Sequence, residues 1–96
     1  MIVIFDRKGL SQLLTLETNS LQGADLRGAQ LGNANLVQVD LENADLRDAD
    51  LSGADLRLAN LRNADLRGAQ TEGADFAGAV LEDTRTDKPL IPINLS

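Results

Sequence analysis

Leucine recurs at every fifth position through most of this 96-residue chain. In thirteen consecutive pentapeptides, residues 19–83, the central residue is leucine eleven times, and Thr71 and Phe76 are the exceptions. Alanine stands two positions before the centre in all but two of them, where Asn19 and Val39 replace it. An α-helix would spread these leucines over all of its faces, and a straight strand would place successive leucines on opposite faces. The chain must therefore bend about once in every pentapeptide.

The position two after each centre is suited to such a bend. It holds Gly, Asn or Asp in eleven of the thirteen pentapeptides, and these residue types are the ones that best tolerate turns and positive φ. Gln38 and Leu58 are the two departures. We expect a different type of turn at those two corners.

A second period of twenty residues suggests how many bends close one circuit. The sequence NADLR at Asn43–Arg47 returns at Asn63–Arg67, twenty residues later. If four pentapeptides form one circuit, equivalent residues stack at about 4.8 Å, the spacing of hydrogen-bonded strands. A recent duplication would produce the same identity, so the four-sided circuit and the duplication remain alternative interpretations of this period.

These motifs resemble those of a known family. ADLRG, at Ala24–Gly28 and Ala64–Gly68, is similar to the A(D/N)LxG motif of pentapeptide-repeat proteins, and the resemblance covers Asn19–Asp83. It implies an all-β fold, a right-handed quadrilateral β-helix of about three coils. In such a fold the centre residue and the small residue before it fill the interior. The expected interior centres are Leu21, Leu26, Leu31, Leu36, Leu41, Leu46, Leu51, Leu56, Leu61, Leu66, Phe76 and Leu81.

The segments outside the repeats are expected to close the ends, because the terminal coil of a solenoid exposes apolar surface and unpaired backbone. Residues 1–18 are interpreted as an N-terminal cap. IVIF predicts a short strand, and GLSQLLTL predicts one or two helical turns with Leu10, Leu13 and Leu14 inward. Residues 84–96 form a tail with Pro89 and Pro92. It is either frayed or covers the C-terminal end, alone or in a homodimer joined through a coil end.

Composition excludes several classes of function. The chain has no Cys and no His, so it lacks the residues of thiolate metal sites and the commonest general base. We expect no metal and no cofactor. The net charge of −6 argues against direct binding of nucleic acid, which needs clustered Lys and Arg. The apolar start is four residues long, too short for a signal peptide or a membrane span. We therefore expect a cytoplasmic protein without membrane contact.

The expected outward columns provide the candidate sites. Asp25, Asp45 and Asp65 form one column. They are interpreted either as a cation site or a DNA-like anionic strip, or as carboxylates that accept backbone N–H groups at corners, which is the favoured interpretation. A neighbouring column consists of Arg27, Arg47 and Arg67. We expect these side chains to neutralise the charge of the carboxylates, and the alternative interpretation is that they bind a ligand.

A second candidate is apolar. Val37 and Leu58 would lie near each other on adjacent coils as outward apolar residues, and they are the candidate contact for a protein partner. Catalysis has no such candidate, because Ser11, Ser20, Ser52 and Thr71 have no His to activate them. A narrow, filled coil also offers no pocket. The sequence thus predicts a protein that is not an enzyme.

Two functions follow from these expectations. The first is a non-enzymatic structural or protein-interaction module with an unidentified protein partner. The alternative comes from the resemblance, since some pentapeptide-repeat proteins mimic DNA and bind DNA gyrase. The repeats hold twelve acidic residues and five Arg, spread over four faces. Duplex DNA of the same length, roughly 16 Å, carries about nine charges. A single face of this coil falls well short of that density.

Overall fold

A computed structural model describes residues 1–88 of the chain. These residues form an N-terminal hairpin of two antiparallel strands, β1 (Ile2–Phe5) and β2 (Gln12–Leu16), followed by a four-sided solenoid. In the hairpin Ile2 pairs with Leu16 and Ile4 with Leu14, and the register shifts after Ile4. In the part of the chain that the structure describes, no helix is long and apolar enough to span a bilayer.

The helical turns expected over Gly9–Leu16 are wrong. The segment Gln12–Leu16 is strand β2, and Leu10 is 81% exposed instead of facing inward. The physical reason is that IVIF is an unpaired strand by itself, and pairing with β2 satisfies its backbone groups. Leu13, Leu14 and Leu16 still pack against the core, but from a strand.

Four parallel ladders form the four sides of the solenoid, and each ladder joins residues twenty positions apart. One of them links Asp25, Asp45, Asp65 and Arg85 through backbone pairing. The twenty-residue circuit is therefore real, and the all-β quadrilateral fold class is confirmed. The other three ladders run through Gln30, Asp50 and Gln70, through Asn35, Asp55 and Asp75, and through Asp40, Asn60 and Val80.

The corners of the solenoid share one backbone conformation. At all thirteen corners the residue two after the centre has φ between 58° and 77°. The centre's C=O accepts a hydrogen bond from the N–H three residues later, at 2.9–3.3 Å. A positive φ at the second central residue with this bond is the signature of a type II turn. The different turns expected at Gln38 and Leu58 are wrong, because these residues have φ of 60° and 63°. Their N–H groups bond to the next coil as at other corners.

Leucine and alanine side chains fill the interior. Ten leucine centres, from Leu21 to Leu66, and Phe76 are at most 4% exposed, and Leu81 packs against them partly buried. Between them lie alanines that are fully buried in the middle of the solenoid, such as Ala54 and Ala59. Each side therefore hides one large and one small side chain, which leaves the polar residues of the repeat to form the outer surface.

The hairpin is joined to the first circuit by backbone hydrogen bonds. The N–H of Asn35 donates to the C=O of Phe5 at 2.8 Å, and the N–H of Arg7 donates to the C=O of Asn33 at 2.8 Å. Ile4 is 4% exposed against the core, and an Arg7 Nη1 donates to the C=O of Gly53 on the next coil at 3.2 Å. The hairpin thus closes the N-terminal end of the interior.

The C-terminal segment continues the coil before it leaves the described part of the chain. Thr84 completes the last turn with Leu81, and Arg85 pairs with Asp65. The first residues of the tail expected at 84–96 therefore belong to the last coil of the solenoid. Its apolar and proline-containing part, residues 89–96, lies outside the described residues, as does any role for it in capping or dimerisation.

Candidate functional site

The outward residue just before each centre holds the following corner in place. In nine of the repeats it is an Asp or Asn whose Oδ1 accepts the backbone N–H two residues later, at 3.0–3.3 Å. Ser20 does the same with its hydroxyl oxygen. These side chains are short enough to form Asx-type turns. Asp25, Asp45 and Asp65 therefore have the structural role that the sequence favoured.

The Asp–Arg column is the most regular charged feature of the surface; it comprises Asp25, Arg27, Asp45, Arg47, Asp65 and Arg67. Each guanidinium donates Nε and Nη2 to both oxygens of the Asp two residues earlier, at 2.6–2.9 Å. Two of the guanidiniums also approach the carboxylate of the next coil: Arg27 Nε lies 3.8 Å from Asp45 Oδ2, and Arg47 Nε lies 3.9 Å from Asp65 Oδ2. The column is thus a ladder of alternating charges.

These bonds set the ionisation of the column. The side-chain hydrogen bond from Arg27 lowers the pKa of Asp25 to about 2, and that from Arg67 lowers the pKa of Asp65 to about 2. In return, the same bonds raise the pKa of the two guanidiniums. Because bidentate Arg–carboxylate pairs use the planar donor fork of the guanidinium, the column presents neither a free anionic strip nor a free Arg ladder.

Two hydroxyl groups outside this column are also engaged in the fold. Ser52 Oγ donates to Asp50 at 2.6 Å, and Thr84 Oγ1 donates to the C=O of Leu61 at 2.7 Å. Within residues 1–88, no three carboxylates are grouped so that they could hold a metal ion. Ser52 is thus paired with a carboxylate whose pKa this hydrogen bond lowers, and the bond joins two neighbouring positions of one corner.

An apolar patch lies at one corner of the solenoid. The C=O of Arg57 accepts the N–H of Gln38, so Leu58 stands above Gln38 and next to the stack that contains Val37. Leu58 is 55% exposed and Val37 is partly buried. The structure thus places the two predicted partner residues on adjacent coils of the same corner.

The structure adds two residues to this pair. The first is Ala77, which lies above Arg57 in the stack that contains Val37. The second is Val80, whose N–H donates to the C=O of Ala59, the residue that follows Leu58 in the chain. Val80 is 41% exposed. Leu58 and Val80 are the exposed large apolar side chains among the described residues of the repeats. Val37, Leu58, Ala77 and Val80 together form the apolar corner of the solenoid.

A signal for the added residues was present in the sequence. At the outward positions of the thirteen repeats, apolar side chains larger than Gly occur four times, and all four belong to the apolar corner. Val80 alone replaces the polar residue that precedes the centre. Comparing the outward positions by column would have found it, provided that the circuit length was known.

The chain is similar to known proteins. The family model described as pentapeptide repeats matches residues 24–63 and 59–85, in eight copies. The crystal structure of alr5209, a pentapeptide repeat protein from Nostoc PCC 7120, is 35% identical, with a TM-score of 0.49, over 75% of this chain and 77% of alr5209. Among curated protein sequences, none matches.

Two further solved structures are more distant in length or sequence. HetL of Nostoc sp. strain PCC 7120, a pentapeptide repeat protein involved in heterocyst differentiation regulation, is 35% identical over 69% of this chain, with a TM-score of 0.34. The match spans only 31% of HetL. AT2G44920 from the Arabidopsis thaliana thylakoid lumen is 24% identical over 75% of this chain and 68% of its own, with a TM-score of 0.31.

Proposed function

This chain belongs to the pentapeptide-repeat family, and we propose that it is a non-enzymatic module that binds a protein partner through the apolar corner. Members of this family are generally structural modules. The observation that carries the proposal is the grouping of the apolar outward side chains of the repeats at one corner, while the other outward positions are polar or Gly. Exposed apolar patches with polar borders are typical of protein-interaction sites.

The polar faces offer less support for recognition. On the Asp–Arg column each carboxylate is already bonded to a guanidinium, so a partner would have to break those pairs. The alternative of a DNA-like ligand of gyrase requires a continuous anionic face. The paired guanidiniums of Arg27, Arg47 and Arg67 interrupt it, and we place this alternative second.

A capture experiment tests the proposal. The tagged full-length protein is used to capture partners from native lysate, in parallel with Val37→Asp and Leu58→Asp. We expect each substitution to weaken recovery of a specific partner at least about tenfold, as for a central interface residue. Asn63→Asp is the matched control, because it adds the same charge at another exposed corner with φ of 59°. If both corner variants recover the partner as well as the control does, the proposed surface is wrong.

A further inference from the structure

Leu58 has a left-handed backbone conformation that is less favourable for leucine than for the residues at the other corners. Its φ is 63°, in the left-handed region. There the Cβ of any residue other than Gly crowds the following carbonyl, and Leu lacks the polar group that lets Asn or Asp compensate with a local hydrogen bond. The other twelve corners have Gly, Asn, Asp or Gln. Leu58 is 55% exposed, so burial in the core does not compensate for this conformation. Strained residues of this kind concentrate at functional sites.

Val80 is a second costly departure at the same corner. An Asp, Asn, Gln or Ser precedes the centre in the other repeats, and most of these accept the N–H two residues later. Valine has no acceptor for the N–H of Glu82. The Leu58 side chain extends toward this coil, since Cδ2 lies 2.6 Å from the position that a Cβ on Gly78 would take. Leu58 and Val80 each depart from the repeat pattern at a local cost in stability, and together they form one exposed apolar surface.

The border of the apolar corner is acidic. Two guanidiniums lie there, and both are engaged: Arg57 with Asp55 at 2.7 Å, and Arg62 with Glu82 at 3.7 Å. A third guanidinium, that of Arg7, lies close enough to Asp55 to interact with it. The stacks that flank the corner carry five carboxylates, so two negative charges remain in excess. The carboxylates belong to Asp40, Glu42, Asp55, Asp75 and Glu82.

This charge decides between possible occupants. A second copy of the chain, with net charge −6, would bring the same acidic border against this one, and an anionic membrane would also be repelled. A partner with Lys or Arg around its apolar side chain would be attracted. Resting on the proposed function, we infer that the apolar corner takes a protein segment in which an apolar anchor is flanked by basic residues.

A defined peptide tests this inference directly. The probe is a short synthetic peptide with two adjacent leucines between lysines, titrated into isotope-labelled full-length protein and followed by amide chemical shifts. We expect the largest shifts at Leu58, Val80 and their neighbours. Leu58→Asn and Val80→Asn should each weaken binding at least about tenfold. Both substitutions leave the net charge unchanged, so they separate apolar contact from general attraction between opposite charges.

Two controls make the result specific. Leu10→Asn removes another exposed leucine, 81% accessible in the hairpin, and should leave the affinity unchanged. A peptide with serines in place of the leucines should bind at least about tenfold more weakly. Leu58→Asn relieves a strained backbone, and Val80→Asn restores the acceptor for Glu82. Both variants should melt at or above the parent temperature, so that lost binding does not reflect unfolding.

Several outcomes would overturn the inference. They are equal binding of the leucine and serine peptides, shifts centred on the Asp–Arg column, or undiminished affinity in both corner variants. Self-association abolished by Leu58→Asn, or binding to anionic vesicles through the corner, would assign the surface to another occupant. If partner capture depends on Leu58 while the basic peptide does not bind, the proposed function stands and this partner chemistry is wrong.

Discussion

Each bend of this protein depends on one corner residue whose backbone φ lies in the left-handed region. The corner residues also stack from coil to coil, and the stack decides how much room each has. In one such stack Gly28 lies below Asp48, and Asp48 lies below Gly68. The Asp48 carboxyl leans over the α-carbon of Gly68, whereas nothing lies within 4 Å of a Cβ added to Gly28. Two glycines with similar φ are therefore expected to differ in their tolerance of a side chain.

Gly28→Ala and Gly68→Ala test this difference. Both place alanine at positive φ, 68° and 77°, which costs about 1–2 kcal/mol. Gly68→Ala must in addition turn aside the exposed Asp48 carboxyl, so its loss of unfolding free energy should be larger by about 0.5 kcal/mol. Urea denaturation of the two variants measures the difference. Equal losses would contradict the stacked arrangement of corner side chains.

At the scale of elements, the hairpin is a different kind of structure from the coil that it closes. It uses antiparallel pairing, and its contacts with the solenoid combine backbone bonds at Phe5 and Arg7 with burial of Ile4. Its turn is held by Asp6, whose Oδ1 accepts the N–H of Leu10 at 2.9 Å. The hairpin should therefore contribute to the stability of the whole coil, since it covers the interior at one end.

Ile4→Ala tests that contribution. Ile4 is 4% exposed, and truncating a buried isoleucine to alanine costs about 2–5 kcal/mol. We expect the lower end of this range, because a terminal element can partly collapse into the space. Leu10→Ala is the control: its side chain is 81% exposed, so its effect should stay within about 0.5 kcal/mol. Both are measured by urea unfolding, and an equally small effect of Ile4→Ala would mean that the hairpin does not stabilise the coil.

At the scale of the whole molecule, Asp carboxylates accept hydrogen bonds from Arg side chains and backbone N–H groups along the outer surface. The ionisation of these carboxylates should therefore govern the stability of the protein to acid. Hydrogen bonds from Arg side chains lower the pKa of Asp25 and Asp65 to about 2, and those of Asp45 and Asp55 are also lowered. In the unfolded chain the carboxyls return to pKa values of about 3.9. The stabilisation is therefore fully present above that value and is lost as pH falls through the folded-state pKa.

The melting temperature should consequently stay level from pH 7 to about pH 5 and fall between about pH 5 and pH 2. Thermal unfolding at constant ionic strength measures this profile. Asp25→Asn and Asp65→Asn keep an oxygen that can accept the backbone N–H but remove a titrating group. In the double variant the acid-dependent fall should be shallower. A profile that is identical to the parent's would show that these pairs do not control acid stability.

The interior and the corners could be predicted from the sequence because they depend on local steric rules repeated in every pentapeptide. A leucine at each centre and a turn-forming residue two positions later leave the backbone few alternatives. The twenty-residue recurrence in turn predicted the stacks, including the one that contains Asp25, Asp45 and Asp65. These features needed no contact between distant segments to be recognised.

Tertiary structure decided the rest. The leucines of GLSQLLTL suit a helix or a strand, and only pairing with β1 selects the strand. Leu58 by itself argues against a type II turn, but the coils above and below hold its backbone, with its N–H bonded to Ala77 at 3.0 Å. The apolar corner likewise exists only because closed circuits bring Val37, Leu58, Ala77 and Val80 to one edge. Local preference determined the repeated unit, and hydrogen bonding between coils determined where its exceptions meet.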